Sequence, residues 1–288
     1  MNNYCILPRF FVIIHLKVGD VMFLTRKSFL KILIMATCYF ILGSISISLW
    51  AVFNSMGIKE NFLLILGIIV YLLCVLVIFC GRYAEGKGKL INLGNRLVRN
   101  ELRPAEFIRA YEVLKKSNKL VINKPSIEIL QLVAIAYDSL DDRENALATV
   151  NEMIDVASDK RKVLANLFKT SFLFSYNKNE EAESLFDEAQ KQKLDFMCQS
   201  LVDAILKSDR AMAIGDYKTV EMYNLKMLER PFPKIDNLGK LVVHYKLGEV
   251  YEKLQNKEKA VTYYQYCATY GGETAIKESA IKKLQDLK

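Results

Sequence analysis

The residues that could do chemistry are few and widely spread. The 288-residue chain has only two histidines, His15 and His244, and His244 falls at a bulky position on an apolar helical stretch. The six cysteines, Cys5, Cys38, Cys74, Cys80, Cys198 and Cys267, include no pair spaced C-x-x-C. Three of them lie in apolar runs, and the polar part of the chain carries two, far apart. That usage fits a reducing compartment rather than a disulfide framework. No G-x-x-x-x-G-K-[ST], H-E-x-x-H or G-x-S-x-G motif occurs, so phosphate cradling, zinc hydrolysis and serine acyl transfer lack their usual groups. Gly86-Lys87-Gly88-Lys89 is too short for a phosphate loop. Acidic pairs such as Asp141-Asp142 and Glu180-Glu181 sit where turns are expected and read as solvated charge. The expectation is a non-enzyme with no metal and no cofactor.

What must then be explained is the arrangement of apolar and charged segments. Residues 32–53, ILIMATCYFILGSISISLWAVF, carry no charge, and neither do residues 62–80, FLLILGIIVYLLCVLVIFC. At 1.5 Å per residue the first run spans about 33 Å, against a hydrocarbon core of roughly 30 Å. The eight residues between them, Asn54 to Asn61, allow only an antiparallel hairpin. A soluble helix needs a polar stripe, which neither run has, and a secretory leader would have a shorter apolar core. Ser44, Ser48 and Ala51 share a face that packs the hairpin or, through the same small residues, a second copy.

Lys and Arg flank both runs. Arg9, Lys17, Arg26, Lys27 and Lys31 precede the first, Arg82, Lys87, Lys89, Arg96 and Arg99 follow the second, and the turn has Lys59 alone. The positive-inside rule puts both termini and the remainder of the chain in the cytoplasm, expected at a bacterial cytoplasmic membrane. Residues 1–31 form a basic leader, and Met22 reads as a natural start of translation. Residues 81–125 are expected as basic juxtamembrane helices and linker, with Leu90, Leu93, Leu97 and Leu102 on an apolar face and a second helix over 104–116. There Arg82, Lys87, Lys89, Arg96 and Arg99 are candidates for contact with anionic lipid, at about 1 kcal/mol per charge near the surface. The net charge of +8 does not imply nucleic acid, because aromatic residues are not interleaved with these cations.

Residues 126–288 read as helical repeats. Ala134, Tyr137 and Ala146 have the same spacing as Gly248, Tyr251 and Ala260. Two further units centre on residues 177–182 and 215–220, with Thr170 and Leu173 at the small and aromatic positions of one, and Val220 in place of alanine in the other. Subtraction along Ala146, Ala182, Val220 and Ala260 gives spacings of 36, 38 and 40 residues. The pattern resembles the tetratricopeptide repeat, whose period is about 34 residues, with degenerate middle units. The fold expected is all-α: a transmembrane hairpin, then a helix-pair solenoid closed by a capping helix over 273–288 with Ile276, Ala280, Ile281 and Leu284 on one face.

The resemblance implies a concave groove lined by the first helix of each pair. Gln131, Ile135, Asp138 and Leu167 would line one part, with Phe174 and Ile205. Asp209, Met212, Tyr245, Glu249 and Glu252 would line the other. Members that clamp a peptide carboxylate use Lys and Asn in the groove, but the outer repeats here have Gln131 with Ile135 and Tyr245 with Glu249. An apolar, basic peptide or protein partner suits such a surface better. Tyr263, Tyr264, Tyr266 and Tyr270 are expected in core and cap contacts. The function expected is a membrane-tethered scaffold for a protein or peptide partner. The alternative is a sensor that relays ligand binding through the hairpin.

Overall fold

The computed structural model describes residues 85–287 apart from 117–124, 193, 195 and 230–234, together with Ile69, Leu72, Leu73 and Leu76. The chain divides into two units, Met1–Cys80 and Gly81–Lys288, where the composition changes. In the first unit Ile69, Leu72, Leu73 and Leu76 are helical and 48–59% exposed. The remainder of the hairpin expected over 32–80, and the leader with Met22, lie outside the described residues. Among the described residues no helix is long and apolar enough to cross a membrane.

The second unit is all-helical, with no strand among its described residues. Helix α1 covers residues 85–100, its last six, Asn95–Asn100, being π-helical. It is followed by α2 (Pro104–Lys116), α3 (Ile127–Asp138), α4 (Arg143–Val156), α5 (Asp159–Ser175) and α6 (Asn179–Gln190). Helix α7 is composite: an α segment Phe196–Ala204, a π segment Ile205–Arg210 and a final turn Ala211–Ala213. Then come α8 (Tyr217–Glu229), α9 (Asn237–Lys253), α10 (Lys257–Tyr270) and α11 (Ala275–Asp286).

One turn joins the helices of four successive pairs. Asp141, Asn177, Gly215 and Gln255 adopt φ of 57°, 59°, 78° and 58°. The next residue in each turn donates its amide five residues back, to Tyr137, Leu173, Ala211 and Tyr251, at 2.8–3.0 Å. The left-handed residue itself donates three back, to Asp138, Phe174, Met212 and Glu252. These two bonds satisfy carbonyls orphaned at a helix end and define the Schellman cap. In three turns the following residue also caps the next helix, Asp142, Asp216 and Asn256 each accepting an amide three residues on at 3.2 Å. Lys178 has no acceptor to offer and makes no such cap.

The packing positions expected from the repeat spacing are filled as expected. Ala146, Ala182, Val220 and Ala260 are fully buried, and Ala134, Thr170 and Ser208 face them from the first helices at 5% exposure or less. At the fourth such position a Cβ on Gly248 would lie 2.6 Å from the Tyr264 ring. A small residue there lets the second helix approach, and the approach buries the ring.

Residues 85–116 hold the two helices expected there, the second over Pro104–Lys116 as read from the sequence. They form a helix pair of their own, with Leu102 at φ 55° in the same place in its turn. Arg103 donates to Leu97, six residues back instead of five, because the π segment adds a residue. Leu90, Leu97, Val98, Phe107 and Tyr111 are all at most 5% exposed. Burying a side chain such as Phe107 contributes about 1.5–3 kcal/mol, and here the apolar face is spent on a protein core.

That core joins the two ends of the array. Leu97, Phe107 and Leu132 of α1–α3 share one buried cluster with Leu241, Leu247 and Tyr264 of α9 and α10. Helix α11 adds Ala280, with Ile276 and Leu284 against it. Ile281, expected on the same face, is instead 40% exposed. Separate clusters hold α5 to α7 and α3 to α5. The smallest, Ala211, Val220 and Val250, sits under α8.

Candidate functional site

The repeated turn places equivalent residues of α3, α5, α7 and α9 side by side, and the groove residues expected from sequence divide by chemistry. Leu167, Phe174 and Ile205 are buried at 5% or less and belong to the core between α5 and α7. Ile135 packs on the main core and Met212 on the small cluster under α8. Gln131 is half-buried. Tyr245 tilts against Tyr264 with centroids 5.5 Å apart, and burial, then the nearby Glu249, push its hydroxyl up to about 12.

The acidic residues form a bonded series across the repeats. Tyr176, at the end of α5, donates its hydroxyl to Asp138 of α3 at 2.6 Å. Ser171 of α5 donates to Asp209 of α7 at 2.6 Å. Lys246 of α9 donates to the other oxygen of Asp209, and to Ser208 Oγ at 3.1 Å. Glu252 accepts from Tyr264 at 2.8 Å and from Lys283 of α11 at 2.9 Å. Burial pushes the Asp138 and Glu249 carboxyls up, against the opposing pull of the Tyr176 hydroxyl at Asp138 and of Lys246 and Lys283 at Glu249. Burial acts the same way on Glu252, but hydrogen bonds from Lys283 and Tyr264 outweigh it and hold that carboxyl low.

Ser171, Tyr176 and Lys246 bond the acidic residues and were not singled out in the sequence. Ser171 had a signal: it is 36 residues after Ile135 and 38 before Asp209, the repeat spacing itself. Lys246 had none, since its role depends on α9 meeting α7. The Lys246–Ser208 contact does not make a nucleophile and base. An ammonium that donates to both Asp209 and Ser208 cannot accept the serine proton, and Ser208 is 5% exposed. The series can hold repeats in register and present negative charge, which is recognition chemistry.

The basic residues expected at lipid are paired within the fold. Lys87 meets Glu128 at 3.1 Å, Lys89 meets Glu85 at 3.0 Å, Arg96 meets Glu101 at 3.5 Å and Arg99 meets Asp236 at 3.2 Å. Arg82 lies outside the described residues. The apolar face of the same helix lies inside the main core.

His244 donates Nδ1–H to the Lys240 carbonyl at 2.7 Å, and its ring stacks on Tyr266 with centroids 3.6 Å apart. Burial moves its pKa down, which leaves a neutral packing ring at pH 7. Tyr264 is fully buried, Tyr263 stacks on Tyr251 at 5.4 Å, and Tyr270 is 62% exposed. Cys198 and Cys267 are buried thiols, and burial pushes Cys267 up to about 12. Among the described residues no group of three or more His, Cys, Asp or Glu could hold a metal ion.

Comparison with known proteins returns no matching family model, no matching curated protein and no matching solved structure.

Proposed function

We propose that this protein is a membrane-tethered scaffold whose helix pairs, similar to tetratricopeptide repeats, recruit a protein or peptide partner in the cytoplasm. The observation that carries the reading is the Schellman turn repeated at Asp141, Asn177, Gly215 and Gln255. It stacks equivalent first helices so that one residue from each falls on a common face, which is how a repeat array builds an extended recognition surface. The acidic character of that face, from Asp138, Asp209, Glu249 and Glu252, favours a partner carrying basic residues. The tether is supported by the two uncharged runs. Ile69, Leu72, Leu73 and Leu76, at helical spacing, hold their side chains out to the surroundings, where lipid would meet them. Tethering converts a weak contact into an occupied one by raising local concentration.

Crosslinking in cells, followed by mass spectrometry, tests the scaffold against a control that expresses the hairpin alone. Recovery of the same partners from both would sink it. The topology test needs an introduced cysteine, because Cys198 and Cys267 are buried. Exposed Ser184→Cys on α6 should resist an impermeant maleimide in intact cells and react after lysis. Labelling before lysis reverses the orientation. The sensor reading draws support from one further feature, the contact between the two ends of the array.

A further inference from the structure

We propose that the seam between the first helix pair and the last is a clasp that gates access of a partner to the acidic inner residues. The inference rests on the recognition role proposed above for that face. The seam has an apolar interior and a polar rim, and every rim contact joins residues far apart in sequence. Arg99 of α1 meets Asp236, the cap of α9, at 3.2 Å, and Asn237 donates to the Asn100 carbonyl at 2.7 Å. Arg103 meets Glu273 at 3.6 Å, the Glu273 amide donates to the Leu102 carbonyl at 2.8 Å, and the Ala275 amide to Ser139 at 2.9 Å. The α10–α11 corner thus seats on two other corners at once.

Two details mark this seam as a place built to close and able to open. Gly272 sits at φ 57°, and a Cβ there would fall 2.5 Å from Leu102 Cβ and 2.6 Å from its carbonyl oxygen. The corners touch only because the side chain is missing. On the other side of the rim, Arg99 Nε is buried with no acceptor among the described residues. A buried donor without a partner is a standing cost of the closed state and is relieved by water when the seam parts. The inner residues respond to the same parting. Lys246, which bonds Asp209, stands on α9, whose Leu241 and Leu247 share the main core with Leu132 and Val133 of α3, so its place beside the acidic residues depends on the ends meeting. Release of α9 from α1 and α3 opens the acidic face to a basic partner.

The full-length chain in lipid nanodiscs provides the test by hydrogen exchange. Asp236→Asn with Glu273→Gln removes both acidic charges of the rim but keeps an acceptor for the Gly239 amide at the α9 cap, which Asp236 now holds at 2.7 Å. Gly272→Ala adds the missing Cβ. Both variants are expected to raise exchange in α1 and α9 by about tenfold while α4 to α6 stay as in the native chain, the signature of local opening. A uniform rise along the chain, or no rise in either variant, overturns the clasp. A fluorescent peptide of alternating Lys and Leu then probes access and is expected to bind the double variant about tenfold more tightly than the native chain. Equal binding overturns the gate alone. Local opening with no peptide binding to any form overturns the partner-face reading, and the gate with it.

Discussion

The helix pairs α9–α10 and α7–α8 are joined by the same turn but packed to different depths. In α9–α10 the missing side chain of Gly248 admits the Tyr264 ring, which is fully buried and bonded to Glu252 at 2.8 Å. That pair stands in the core that joins the ends of the array. In α7–α8 the first helix is interrupted by a π segment, the cluster beneath the second is Ala211, Val220 and Val250, and Ile214 and Met222 are 71% and 67% exposed. The turn sets the direction in which the chain returns. The size of the residues facing each other sets how closely it returns.

The strongest way to break this comparison is to remove the large side chain. Tyr264→Ala should cost about 3–5 kcal/mol, and Val220→Ala only about 1–2 kcal/mol, in denaturant unfolding of the purified chain. Equal losses would mean that the two pairs are equally deep. Next in size is the contact that makes room for the ring. Gly248→Ala should destabilise by about 1–3 kcal/mol through overpacking. Gly88, in α1, has nothing among the described residues within 4 Å of where a methyl would stand, and Gly88→Ala should stabilise by about 0.5–1 kcal/mol from helix propensity alone.

The turns give a smaller effect. Asn256→Ala should cost about 1 kcal/mol by removing the cap of α10, and Lys178→Asp should gain about 0.5–1 kcal/mol by supplying the cap that α6 lacks. Thermal unfolding midpoints check both, and a neutral Lys178→Asp would show that the second turn is constrained by something other than its cap.

The smallest effect is electrostatic. Glu128 joins α3 to Lys87 of α1 at 3.1 Å and to Arg161 of α5 at 2.8 Å. Burial opposes its ionisation, but the nearby Ser126 hydroxyl, its own backbone amide, Lys87 and Arg161 outweigh burial and hold the carboxyl down at about 2. A folded pKa below the unfolded value stabilises at pH above the unfolded pKa, and the contribution is lost as pH falls from about 4.5 towards 2. The side chain is 39% exposed, so solvent screening limits it to about 1 kcal/mol or less. Glu128→Gln should flatten the stability profile across that window, and an unchanged profile would remove Glu128 as a bridge between pairs.

The repeat spacing was legible because it rests on buried small residues, which sequence displays directly. Ala146, Ala182, Val220 and Ala260 were identified by subtraction and are all buried. The turn before them was legible as polar, and Gly215, Asn177 and more weakly Asp141 are residue types that favour a left-handed backbone, whereas Gln255 is not. The helices α1 and α2 were legible, but their pairing as a unit like the others was hidden for two reasons. Leu102 gives no turn signal, and Gly94, the small residue whose Cβ would lie 2.9 Å from Phe107 and Leu132, precedes it by eight residues where the other pairs show seven. The extra π residue moved it out of register. The partners of the acidic face were hidden because Lys246 and Tyr176 act across pairs, and periodicity describes one pair at a time. The ion pairs of Lys87 and Arg99 were hidden because their partners, Glu128 and Asp236, lie 41 and 137 residues away by subtraction.

The meeting of α1 with α9 also bears on how such a chain can evolve. An open array tolerates gain or loss of a unit, since each repeat contacts only its neighbours and a new end is as good as the old one. Here the last unit contacts the first, and deleting or duplicating one helix pair would leave Arg99 facing the wrong residue and Gly272 away from Leu102. The number of pairs is therefore locked by geometry. Variation must enter through side chains or through the corners, and length polymorphism should be confined to the connections between pairs.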